Sequence, residues 1–117
     1  MLTIRAAQMS IFSQLEVQKF EEWLLLHLKK FFPRQYKASS ERQLREMIQY
    51  GIKRAEAYDV KTRRDVCKYI DLMMVFGRDF DIDDRYPWAR EILGRRRNSS
   101  AKMGAALEAA QIHLRKM

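Results

Sequence analysis

Val17, Phe20, Leu24, Leu28 and Phe31 recur at intervals of three and four residues inside a stretch, Thr3–Phe32, that holds neither glycine nor proline. Apolar residues at that rhythm line one face of a helix with 3.6 residues per turn. The whole chain of 117 residues has only four glycines and two prolines. Sandwiches and barrels need turn chemistry every few residues, so the sequence predicts an all-α protein. At this length there is material for one hydrophobic core and not for two independent ones. The expected fold is a single compact bundle of about five helices with a long first helix. Residues 1–94 are expected to form the bundle core. Residues 95–117 are expected to form a basic linker and a C-terminal helix packing on the same domain.

The first helix is predicted over Thr3–Phe32, with a thinner upstream stripe at Ile4, Gln8, Phe12 and Leu15, and Pro33 is expected to stop it. Its N-terminal half either projects beyond the bundle or is covered by a partner. A second helix starts at Ser40 with Gln43 completing a capping box, and its apolar face is Leu44, Met47, Ile48, Gly51, Ile52 and Ala55. Glycine costs a helix interior about 1 kcal/mol relative to alanine, so Gly51 points to a close helix crossing. A third helix follows Thr62, buries Val66, Tyr69, Ile70 and Met73, and ends at Gly77. Pro87 opens a short helix with Trp88 and Ile92 inward. Ser100 is expected to cap a last, alanine-rich helix with apolar positions Met103, Leu107, Ala110, Leu114 and Met117, its other faces carrying Lys102, Glu108, Arg115 and Lys116.

The formal charge of +8 fits nucleic acid, an anionic membrane surface or an acidic protein partner, and net charge does not choose among them. Acids are interleaved almost throughout, and the longest basic run is Arg95-Arg96-Arg97. A lone cysteine, Cys67, excludes an internal disulfide. No signal-peptide pattern opens the chain, and the richest apolar run, Trp23–Leu28, is far shorter than a membrane span. These features predict a cytoplasmic protein.

Candidate chemistry is sparse. Asp79, Asp81 and Asp83 match the first three ligand positions of a calcium loop, but Asp84 and Arg90 stand where that loop requires glycine and glutamate. These carboxylates are expected to cap and to pair with neighbours such as Arg78 and Arg85, while Phe80 and Ile82 tie the loop to the core. His27 and His113 lack companions at metal-ligand spacing. His27 is expected to be a core histidine, and Cys67 a buried, inert thiol. No nucleophile elbow, phosphate loop or zincin motif occurs. The expectation is therefore no enzyme, no catalytic residue, no cofactor and no metal.

A helix-turn-helix over residues 55–70 is the alternative. Ala55, Asp59-Val60 and Val66 have its spacing, with Lys61, Arg63 and Arg64 at the start of the reading helix. The turn position favours glycine because its backbone is left-handed, and Asp59 stands there instead. Asp65 and Asp71 also place negative charge on that helix. An amphipathic membrane helix around Trp23, Phe31 and Phe32 is interrupted by Glu21 and Glu22.

Several local runs share a further pattern: Ile4-Arg5-Ala6-Ala7-Gln8-Met9, Phe20, His27-Leu28 to Phe32-Pro33, Gly51-Ile52 with Arg54-Ala55 and Tyr58, and Arg64-Asp65-Val66. Phe76-Gly77-Arg78-Asp79-Phe80-Asp81 and Pro87-Trp88 are its most specific pieces. In these runs, over residues 4 to about 93, the chain resembles small uncharacterised helical proteins encoded in bacterial type VI secretion system effector gene clusters. Asp59 departs from the glycine such proteins prefer at that turn. The resemblance implies an accessory role without catalysis, as adaptor or chaperone of a toxin or as its immunity protein. The expected partner is thus a protein, a secreted toxin or its carrier, with nucleic acid less favoured and no membrane. Phe12, Leu15, Phe31, Tyr36, Trp88, Arg95, Arg96 and Arg97 are the expected partner-binding residues, since aromatic and arginine side chains dominate interface energetics.

Overall fold

The computed structural model describes residues 14–116, and from Glu16 onward also their side chains. Every regular element among them is helical: α1 (Gln14–Phe31), α2 (Pro33–Ala38), α3 (Glu41–Ala57), α4 (Arg63–Phe76), a 3-10 turn (Phe80–Ile82), α5 (Pro87–Leu93) and α6 (Ser99–Arg115). The upstream stripe at Ile4, Gln8 and Phe12 lies outside the described residues, as does the side chain of Leu15. No described helix is long and apolar enough to cross a membrane. The chain divides into two compact units between Ser40 and Glu41.

In the first unit, the spacing of the apolar stripe carries through to burial: Phe20, Leu24 and Leu28 are buried. Lys29 and Lys30 occupy the last turn of α1, where cations oppose the helix dipole. Pro33 ends that helix as expected, but it also starts another. It sits at the first position of α2, where proline's missing N–H has no helical partner to lose. The reversal happens at one residue, Phe32, whose φ of −133° and ψ of 59° leave the helical region.

In the second unit, α4 is the central element, packing against α3, α6 and the 3-10 turn, while α5 packs on α6 and that same turn. The crossing of α3 and α4 is as close as Gly51 implies. A Cβ at that position would lie 2.7 Å from Met73 Sδ and 3.0 Å from Ile70 Cγ1. Thr62 caps α4 by accepting from Asp65 N at 3.2 Å, and its hydroxyl donates back to the Asp65 carboxylate at 2.9 Å. Gly77, at φ 110°, ends α4 and donates its N–H to Met73 O. The turn between α3 and α4 passes through Asp59 at φ 63°, the left-handed conformation that favours glycine.

Three expectations need correction. The cap of α6 is Asn98, not Ser100: Asn98 Oδ1 accepts from Ala101 N at 2.8 Å, and the helix starts at Ser99. Ser100 is displaced because Asn98 already caps the start of the helix. Ile82 does not anchor its loop; it is 48 % exposed, and Phe80 alone is buried there. Lys102, placed by periodicity on an outer face of α6, is buried beside Met103 and Ala106.

Candidate functional site

Helix α1 carries two faces with different fates. Trp23, Leu26 and Phe31 are exposed by 52 %, 67 % and 59 %, although the same helix buries Phe20, Leu24 and Leu28. Trp23, His27 and Phe31 sit four residues apart and so stack along one side of the helix. The Trp23 and His27 rings are nearly parallel at 5.3 Å, and His27 meets Phe31 at 4.8 Å. His27 is thus half-buried in an aromatic ladder and is not the core histidine expected from the stripe. Lys30 Nζ lies 5.3 Å from the Phe31 ring centre, within cation–π range. Tyr36, on α2, is half-buried with Lys29 Nζ 6.0 Å from its ring centre. Large apolar side chains gathered on one exposed helix face form a protein-docking surface more readily than a catalytic one.

The second unit spends its aromatic residues differently. Phe76, from the end of α4, meets Tyr86 at 4.7 Å, Trp88 at 5.4 Å and His113 at 5.8 Å. Trp88 is half-buried in this cluster and serves the packing of α5 on α6.

The acidic run yields no shared site, because its three odd-numbered aspartates turn to three different partners. Asp79 accepts from the Tyr50 hydroxyl, and Arg78 stacks over that tyrosine ring at 4.0 Å without pairing with the acid. Asp83 takes a bidentate bond from Arg85, which holds its carboxyl below the usual range. Asp81 is fully buried and pairs with Arg54 of α3, not with a sequence neighbour. Tyr58 also donates to Asp81, at 2.6 Å, and burial together with that bond pushes the phenol up to about 12. Tyr69 rests on the same spot, its ring 5.2 Å from Phe80. This is a closed ion pair between α3 and the 3-10 turn. Cys67 is buried, and burial pushes its thiol up to about 12, which leaves it protonated and unreactive at neutral pH.

Arg95, Arg96 and Arg97 lie together in the turn between α5 and α6. With Ala57, Tyr58 and Asp59 opposite and Lys102 beside them, they line a cleft of about 530 Å³. Arg95 pairs with Glu91 at 2.7 Å. Neither Arg96 nor Arg97 has a side-chain partner among the described residues. Of the expected partner-binding residues, Phe31 stands in the ladder of the first unit and Tyr36 follows it, while the three arginines share one cleft in the second. Trp23, Leu26 and Lys102 join these surfaces unforeseen. The spacing of Trp23 from Phe31 was a usable signal for the ladder; nothing local marks Lys102. Compared with protein-family models, with curated proteins and with solved structures, the chain matches none.

Proposed function

We propose that this chain is a non-enzymatic, helical protein-binding accessory protein of a type VI secretion toxin cluster, acting as effector adaptor or chaperone or as immunity partner. The observation that carries protein binding is the exposed ladder of Trp23, His27 and Phe31, widened by Leu26. Tryptophan and arginine are the residue types on which interface energy concentrates. The resemblance of the Phe76–Asp81 and Pro87-Trp88 runs supplies the gene-cluster context. The partner is a protein, a secreted toxin or its carrier, with an apolar groove able to accept a helix face. The site of action is the bacterial cytoplasm.

The test is co-expression of the tagged full chain with the product of a neighbouring toxin gene. A stoichiometric complex that resists nuclease is expected, and Trp23→Ala with Phe31→Ala should weaken it about 30-fold or more. A complex indifferent to both substitutions would remove the ladder from the interface. Protection of cells from the toxin separates an immunity partner from an adaptor, whose loss leaves the toxin undelivered.

One observation favours the helix-turn-helix alternative: Asp59 adopts the left-handed turn that the motif demands. Against it stands the burial of α4. Val66, Cys67, Tyr69, Ile70, Leu72, Met73 and Phe76 are all buried, leaving only Arg63, Arg64 and Val75 exposed on that helix. A reading helix needs an open face along its length to enter the major groove. Binding to random duplex DNA with a steep salt dependence would revive this alternative.

A further inference from the structure

Lys102 is 4 % exposed, and its ammonium group donates to a single described partner, the backbone carbonyl of Tyr58, at 2.6 Å. No carboxylate among the described residues lies within ion-pair distance of it. A buried cation without a counter-charge is costly. The Tyr58 carbonyl follows the C-terminus of α3, and the negative end of a helix dipole supplies about half a charge. The other half is unanswered among the described residues.

The same lysine lines the cleft that Arg95, Arg96 and Arg97 border. The charges around that cleft do not cancel. Glu91 answers Arg95 at 2.7 Å, and Asp59 is drawn to Lys61 at 3.4 Å. Arg96, Arg97 and Lys102 are left as three cationic groups facing one space with no acid assigned to them. The first turn of α6 adds the positive end of its own dipole from the same side. Guanidinium groups offer planar forks of N–H donors that match phosphoryl oxygens. A volume of about 530 Å³ suits a small ligand and is far more than a chloride needs.

We propose that this cleft binds a phosphorylated small molecule, through a diphosphate group whose negative charges are met by Arg96, Arg97 and Lys102. The site is independent of the aromatic ladder, and it survives if the protein-binding role fails. Arg96 and Arg97 clasp the outer phosphoryl oxygens from the rim, and Lys102 meets the inner end from the wall of the cleft. A nucleotide and free pyrophosphate share this chemistry, and the test separates them.

The experiment is calorimetric titration of the full chain, at low salt, with pyrophosphate, with ADP and with a random DNA duplex. The double variant Arg96→Ala, Arg97→Ala is titrated in parallel. Both positions are exposed, so the variant keeps its fold, as its circular dichroism would register. Pyrophosphate and ADP are expected to bind the parent chain and to bind the variant at least about tenfold more weakly. A markedly tighter ADP identifies a nucleotide as the ligand; equal affinities identify the diphosphate group alone. Absence of pyrophosphate binding, or equal binding by the variant, overturns the proposal. So does duplex binding that needs both arginines while pyrophosphate is ignored, which would make the cleft a contact for nucleic-acid backbone.

Discussion

The two aromatic groupings of this chain are built from similar rings and put to opposite uses. On α1, Trp23, His27 and Phe31 come from one helix at intervals of four, so their stacking requires nothing but that helix. In the second unit, Phe76, Tyr86, Trp88 and His113 come from α4, α5, α6 and the loop between them, so they meet only when the unit is assembled. The first grouping leaves Trp23 and Phe31 more than half exposed, whereas Phe76 is 8 % exposed. Local stacking contributes little to a tertiary fold and leaves Trp23 and Phe31 open to a partner. Rings gathered from distant segments are consumed in holding those segments together.

That contrast breaks first on a pair of truncations. Phe76→Ala should lower the unfolding free energy by about 3–5 kcal/mol, the usual cost of emptying a buried phenylalanine site. Trp23→Ala, read by the same urea denaturation, should change it by less than about 0.5 kcal/mol, as exposed substitutions do. Similar losses for both would mean that the ladder is structural. Next in size is Arg54→Met, which leaves the Asp81 carboxylate buried without its counter-charge. Breaking a fully buried pair costs about 3–5 kcal/mol; Arg54 is 31 % exposed, so about 2–3 kcal/mol is expected.

Asp65 sharpens the comparison through pH. Burial pulls its carboxyl upward, but bonds from Ser99, Thr62 and Ser100 and the charge of Lys68 hold it below the usual carboxylate range. A carboxyl whose folded value is depressed contributes stability above its unfolded value, about 3.9, and loses it as pH falls through the folded one. Denaturation midpoints measured from pH 7 down to pH 2 should therefore drop at the acid end, and Asp65→Asn should flatten that drop. An unchanged acid limb in the variant would assign the sensitivity to other carboxylates. Among the substitutions in the second unit, the smallest loss is expected at Gly51→Ala. Helix propensity gains about 1 kcal/mol, but the new methyl meets Met73 Sδ at 2.7 Å. The flexible thioether can yield at a cost of about 2 kcal/mol, for a net loss of about 1 kcal/mol by the same denaturation assay.

What the sequence made legible was local. The stripe of α1, the Thr62 cap and the Gly77 terminus each depend on residues within a turn or two, and periodicity or cap chemistry finds them; a glycine inside a helix marks the Gly51 crossing without naming Met73 across it. The Arg54–Asp81 pair spans 27 positions and the Lys102–Tyr58 bond 44, and no spacing rule reaches that far. Lys102 in particular looked like a solvated lysine, because its periodic position says nothing of the turn that folds over it. Asn98 and Ser100 are both good capping residues, and only the three-dimensional path of the chain decides between them. The ladder was half visible: Phe31 stood out as a partner-binding residue, while His27 was expected in the core and Trp23 was read as part of an apolar run.

The Asp65 carboxylate accepts from Thr62 at the start of its own helix and from Ser99, 34 residues later, at the start of another. On an emerging nascent chain this acid stays without its second hydroxyl until the segment carrying Ser99 has left the ribosome. The Ser99 hydroxyl then acts as a clasp, so that α4 acquires this bond only once the start of α6 has been made. A chain clipped before Ser99 would lack this fastening between α4 and α6.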